Sequence, residues 1–65
     1  MSFNEVFYIK LREKRKRNKW TQKETAMKVG ISRSYYCDIE NGKKTPSGKV
    51  LFKINEVLPI FLTEK

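Results

Sequence analysis

The stretch Thr21–Ser47, TQKETAMKVGISRSYYCDIENGKKTPS, decides how this chain folds, because start and stop signals for short helices follow one another through it with almost nothing between them. Thr21 and Glu24 stand three apart at its beginning. At that spacing the threonine hydroxyl accepts the Glu24 backbone N–H and the glutamate carboxylate accepts the Thr21 N–H, a capping box that starts a helix. Gly30 stops that helix, since glycine takes the left-handed conformation most easily. Ser32 caps the next helix, which ends at Asn41 and Gly42. Thr45, Pro46 and Ser47 open another: proline suits a first helical turn, and either hydroxyl serves as the cap.

Spacing inside the stretch predicts how its two complete helices meet. From Gln22, Ala26 comes four later and Gly30 four beyond that, followed directly by Ile31, then by Tyr36 and Ile39. A small side chain at Ala26 lets the following helix approach closely, Gly30 permits a sharp turn, and Ile31, Tyr36 and Ile39 fill the angle between the helices. That is the physical recipe for a helix-turn-helix over about residues 22–40. Any short helical hairpin places such residues one at a time; their joint spacing is the stronger signal.

Outward from this core, Phe3, Phe7 and Leu11 recur every four positions, with Arg15 continuing the line, as in an amphipathic helix from Phe3 to about Arg17. The helix begun at Thr21 turns Gln22, Thr25, Ala26 and Val29 inward. The one begun near Ser47 turns in Val50, Leu51, Ile54, Val57 and Leu58, stops at Pro59, and is followed by the apolar tail Ile60, Phe61 and Leu62. No strand signal, repeat or linker interrupts the pattern. Residues 1–65 therefore read as one all-α domain, a compact bundle of four to five short helices.

At 65 residues only about 60% of the chain's surface is buried on folding, which leaves no room for a large substrate pocket. Fifteen Lys and Arg against seven Asp and Glu give a formal charge of +8 with no histidine, and so point to a polyanion: DNA, RNA or an anionic membrane surface. A single cysteine, Cys37, forms no internal disulfide and, without histidines, no metal site. Nothing resembles a signal peptide, and no apolar run is long enough to span a bilayer. The expectation is a cytoplasmic protein with no membrane partner. Without histidine, a glycine-rich phosphate loop or a base for Cys37, no catalytic set emerges, so neither an enzyme nor a cofactor or metal is expected.

The run Leu11–Ser47, LREKRKRNKWTQKETAMKVGISRSYYCDIENGKKTPS, resembles the helix-turn-helix family of phage Cro and repressor proteins, with TQ, VGIS and IENGKKTPS its most specific pieces. The resemblance implies a lambda-repressor-like bundle of about five helices whose third helix enters the DNA major groove. It implies that Gln22 anchors a phosphate, that Asn41, Lys43 and Lys44 follow the DNA backbone, and that Arg15 and Glu40 form a structural salt bridge. Thr25 and Gly48 stand where leucine is usual, and Lys14 where an apolar residue is common. Pro59 replaces a usual glycine, so a fifth helix is expected to be short or absent.

Turned at about 100° per residue with Tyr36 and Ile39 inward, the third helix carries Ser34, Cys37 and Asp38 on its opposite face, flanked by Arg33 and Tyr35. One tyrosine is then core and the other display; the buried Tyr36 hydroxyl needs a partner. Arg33 donates two bonds to a guanine edge, Asp38 accepts from a cytosine amino group, Tyr35 lies on a thymine methyl or sugar, and Ser34 reaches a base or a phosphate. Cys37 is counted with this base-reading face, as a small neutral residue fitting the groove in preference to a redox switch. Duller readings compete: Arg33 as a phosphate clamp, Asp38 as the partner of an adjacent cation. Gln22 opens the second helix, whose N–H groups and dipole favour an anion. In the basic run Lys10–Lys19, Arg12, Lys16 and Lys19 spread over solvent. The expected function is sequence-specific binding of double-stranded DNA by a transcriptional regulator, a repressor acting as a homodimer on a palindromic operator with no small-molecule effector. Ile60 and Phe61 are the expected partner surface, while Leu58 closes the protomer's own core. The alternative is an antitoxin-type protein that binds a partner toxin and represses its own operon.

Overall fold

A computed structural model of the chain describes residues 3–59, the first three by backbone alone. Its helices are α1 (Phe3–Arg17), α2 (Gln22–Val29), α3 (Arg33–Glu40) and α4 (Gly48–Val57), and no strand occurs among the described residues. The caps that set these limits are local. Glu24 N–H donates to the Thr21 hydroxyl at 3.0 Å and Thr21 N–H to the Glu24 carboxylate at 2.8 Å, completing the box that starts α2. Gly30 ends it at φ +88°, its N–H donating to Ala26 O at 2.8 Å. Ser32 Oγ accepts Tyr35 N–H at the start of α3, and Ser47 Oγ accepts Val50 N–H at the start of α4. Ser47 is thus the cap that operates, and Pro46 lies buried just ahead of it instead of in the first helical turn.

The link between α1 and α2 turns through Lys19 at φ +61°, a left-handed position held by a residue with a side chain. Trp20 N–H returns to Arg15 O at 3.2 Å and closes that corner. The core joins Phe7 and Leu11 of α1, Ala26 and Val29 of α2, Tyr36 and Ile39 of α3, and Ile54 with Leu58 at the end of α4. Helix α3 packs against α1 and α2, and α2 also packs against α4. Around this centre lie the half-buried Trp20, Ile31, Tyr35, Val50, Leu51 and Val57.

The departures from the family pattern have simple physical outcomes. Thr25 is fully buried, and its hydroxyl donates to Thr21 O at 2.9 Å, so no orphan polar group enters the core. Lys14 is half-buried. At Gly48 an added Cβ would meet nothing within 4 Å. The Phe3 side chain, the apolar tail from Ile60 to Leu62 and any fifth helix lie outside the described residues.

Candidate nucleic-acid interface

Two neighbouring features make up the candidate site: the outer side of α3 and the junction of its C-terminus with α2. On the outer side Arg33 and Ser34 are exposed in the first turn, while Tyr35, Cys37 and Asp38 are half-buried. Tyr36 and Ile39 occupy the opposite side, at 0% and 1% exposure. The division of the two tyrosines is less sharp than the helical wheel suggests, because Tyr35 also packs against the core. It is covered in part by Lys44, whose ammonium stands 5.9 Å from the Tyr35 ring centre and 3.8 Å from the Asp38 carboxylate. Asp38 therefore has an adjacent cation. The backbone carries Lys44 there: Asp38 O accepts the N–H groups of Lys43 and Lys44 at 2.8 and 3.3 Å as the chain leaves α3.

Glu40, buried to 1% exposure, anchors the C-terminus of α3. Its carboxylate accepts Arg15 Nε at 2.6 Å and Arg15 Nη2 at 3.0 Å, the Tyr36 hydroxyl at 2.6 Å and Gln22 Nε2 at 3.0 Å. Arg15 spends its remaining terminal nitrogen on Trp20 O at 2.8 Å, which ties the α1–α2 corner to the same cluster. Among the described side chains no buried nitrogen or oxygen lacks a partner. Arg12, read from sequence as solvated, instead donates to Glu40 O at 3.1 Å, because the last carbonyls of α3 need donors and α1 runs past them.

Charges follow this geometry. Burial pushes the Glu40 carboxyl up, but the hydrogen bonds from Arg15, Tyr36 and Gln22 and the Arg15 charge outweigh it and hold it below the usual carboxylate range. The hydrogen bond to Glu40 raises Arg15 against the opposing effect of burial. Tyr36 is raised well above an ordinary phenol, first by burial and then by its bond to the Glu40 carboxylate. Near neutral pH the cluster is a carboxylate, a guanidinium and a neutral phenol.

Gln22, at the first position of α2, turns its amide N–H toward Glu40 and its Oε1 toward Cys37, whose thiol donates at 3.6 Å. The same sulfur accepts Asn41 Nδ2 at 3.6 Å. Asn41 and Lys43 are otherwise exposed beyond α3. Gly42, at φ +76°, passes so close to α1 that a Cβ would stand 2.8 Å from Tyr8 Cε2. The structure thus groups Gln22, Cys37 and Asn41 at one corner, Tyr35, Asp38 and Lys44 at the next, with Lys43 joined to Asp38 by its backbone alone, and leaves Arg33 and Ser34 apart from both groups. Arg12 escapes sequence reading because its partner is 28 residues away; the Trp20 carbonyl, only five residues from Arg15, is brought to it by the corner through Lys19. One signal was available: Arg12 is three residues before Arg15, on the adjoining strip of α1. Ile60 and Phe61 lie outside the described residues. Among the described residues no cluster of acidic, cysteine or histidine side chains is arranged to hold a metal ion, and no helix is long and apolar enough to cross a membrane.

An all-helical domain whose second and third helices meet at a glycine turn, with the third pinned from behind and polar in front, is a helix-turn-helix domain. The chain belongs to the helix-turn-helix family, whose sequence pattern matches residues 11–64. It is 46% identical over 44 residues to the ImmF control region 10 kDa protein of Bacillus phage phi105, a match covering 68% of this chain and 49% of that protein. It is 37% identical over 57 residues to the uncharacterized HTH-type transcriptional regulator YqaE of Bacillus subtilis strain 168, covering 88% of this chain and 49% of that one. The chain spans about half the length of the curated relatives it matches. No solved structure matches it.

Proposed function

We propose that the chain is a sequence-specific double-stranded DNA-binding transcriptional regulator, a Cro/repressor-like protein that meets a palindromic operator as a homodimer. The observation that carries this reading is the mounting of α3: buried Tyr36, Ile39 and Glu40 fix it from behind, while Arg33 and Ser34 stand exposed at its leading turn. The helix-turn-helix family and the two relatives agree with it, one relative being named as a phage control-region protein and the other as a transcriptional regulator. Arg33, Ser34, Tyr35 and Asp38 are assigned to base edges, with Lys44 leaving Asp38 or moving with it as DNA enters. Gln22, Asn41, Lys43 and Lys44 are assigned to phosphates, and the net charge of +8 draws the duplex in.

One helix reads only a few base pairs, so two copies related by a two-fold axis supply the specificity a single domain lacks. The test is to select bound duplexes from a random pool and to measure affinity for the recovered site against salt. A palindrome with half-sites about 34 Å apart is expected. So is a log–log salt slope of about 0.9 per phosphate neutralised. Recovery of no consensus, or preference for RNA over the selected duplex, overturns the reading.

A further inference from the structure

Cys37 stands on the outer side of α3, where a side chain would ordinarily be taken for a reader of bases, yet both hydrogen-bonding capacities of its sulfur are used inside the protein. Its thiol donates to Gln22 Oε1 and its lone pair accepts Asn41 Nδ2, each at 3.6 Å. The two amides come from different elements, Gln22 from the first turn of α2 and Asn41 from the cap that ends α3. Gln22 is fixed from behind by Glu40 through Nε2 at 3.0 Å, and Asn41 is exposed.

We infer that Cys37 is a positioning residue, whose sulfur joins the Gln22 and Asn41 amides into one unit that meets the DNA backbone at the junction of α2 and α3, and that it does not read a base. The inference rests on the DNA-binding reading above and sharpens it. An amide nitrogen carries two hydrogens. With Glu40 taking one hydrogen of Gln22 and Cys37 one of Asn41, each amide keeps one N–H for a phosphate oxygen, and each is already oriented before DNA arrives. Holding donors in place beforehand removes the ordering cost that flexible side chains incur on binding. Sulfur suits the position by size. Its long C–S bond and wide hydrogen-bonding distances let one atom touch both amides, whereas a serine oxygen at the same position prefers partners near 2.8 Å and has a shorter reach.

The experiment compares Cys37→Ala and Cys37→Ser with the unaltered chain on the selected site, on a panel of single base-pair variants of that site and on unrelated duplex, each across a range of salt. In Cys37→Ala affinity falls about tenfold on all duplexes alike, equivalent to one charge-assisted hydrogen bond. The amides and the thiol are uncharged and release no counterion, so the log–log salt slope stays the same, as does preference across the panel. Cys37→Ser, which keeps a donor and an acceptor, recovers part of the affinity. Independently of DNA, the side-chain amide signals of Gln22 and Asn41 in the free protein shift and gain mobility in Cys37→Ala, while the melting temperature moves little. A change of preference at one base pair makes Cys37 a base reader and overturns the inference. So does an alanine variant that binds like the unaltered chain with the two amide signals unmoved. An unaltered chain that binds no duplex specifically sinks the DNA reading and this inference together, an outcome visible before any variant is made.

Discussion

Removing the charge that faces Glu40 is the sharpest test of how α3 is held. Arg15→Met keeps much of the apolar stem and deletes three hydrogen bonds at once, two to the Glu40 carboxylate and one to Trp20 O. What remains is a carboxylate with a side chain only 2% exposed and no counter-charge, supported by Tyr36 and Gln22 alone. Breaking a buried ion pair from one side costs about 3–5 kcal/mol, most of it the penalty for the stranded charge. A 65-residue domain has a total stability of about 3–10 kcal/mol. Even the lower figure lowers the melting temperature by about 12–24 °C, at about 4–8 °C per kcal/mol for a domain of this size. Thermal unfolding followed by circular dichroism at neutral pH reads this directly. Adding Glu40→Gln removes the stranded charge while leaving a carbonyl for the Tyr36 hydroxyl, so the double variant should be more stable than the sum of the two single losses by about 0.5–3 kcal/mol. If Arg15→Met melts with the unaltered chain, the carboxylate does not depend on the guanidinium, and the account of how α3 is anchored is wrong.

Other expectations follow from the same geometry. Because the Glu40 carboxyl is lower in the folded state than in the unfolded one, its contribution is present above an ordinary carboxyl value of about 4.5 and is lost as pH falls through the lower folded value; acid melts should show that loss, and Glu40→Gln should abolish it. The raised Tyr36 phenol has the opposite sense, contributing fully below about pH 10 and less as pH rises beyond it, so alkaline melts of Tyr36→Phe should be flatter than those of the unaltered chain. Arg33→Ala should relax preference at particular base pairs, with about 1–3 kcal/mol at stake, whereas Lys43→Ala should weaken all duplexes alike; equal loss on specific and unrelated DNA would make Arg33 a phosphate clamp. The glycines should separate in melting experiments. Gly48→Ala, in open space at a helix start, should raise stability by up to about 1 kcal/mol. Gly42→Ala, left-handed and 2.8 Å from Tyr8, should lower it by about 1–2 kcal/mol or more.

Helix limits were legible in the sequence because caps act over three or four residues. Thr21 and Glu24, Gly30, Ser32 and Ser47 each do their work within one turn of the backbone, so their spacing alone carries the information. Inward lines such as Phe7 with Leu11, or Tyr36 with Ile39, were legible for the same reason: one period places them on one side of one helix. Which outer side chains are free and which are occupied was not legible. Glu40 takes Arg15 from 25 residues away and Gln22 from 18, and the Arg15 pairing was implied by family resemblance and not by any spacing. A helical wheel put Tyr35, Cys37 and Asp38 in one outward set, but it has no term for the loop that brings Lys44 back over two of them, nor for the α2 terminus that takes up the third. Arg12 was solvated on the wheel and bonded to the end of α3 in the fold. The sequence by itself determined where α2 and α3 begin and end and which side of each is apolar, since those are contests between neighbouring residues, while it left the start of α4 between Thr45 and Ser47. Only the tertiary structure decided which polar groups remain for a partner, because a donor is free or committed according to what other helices bring within hydrogen-bond reach of it.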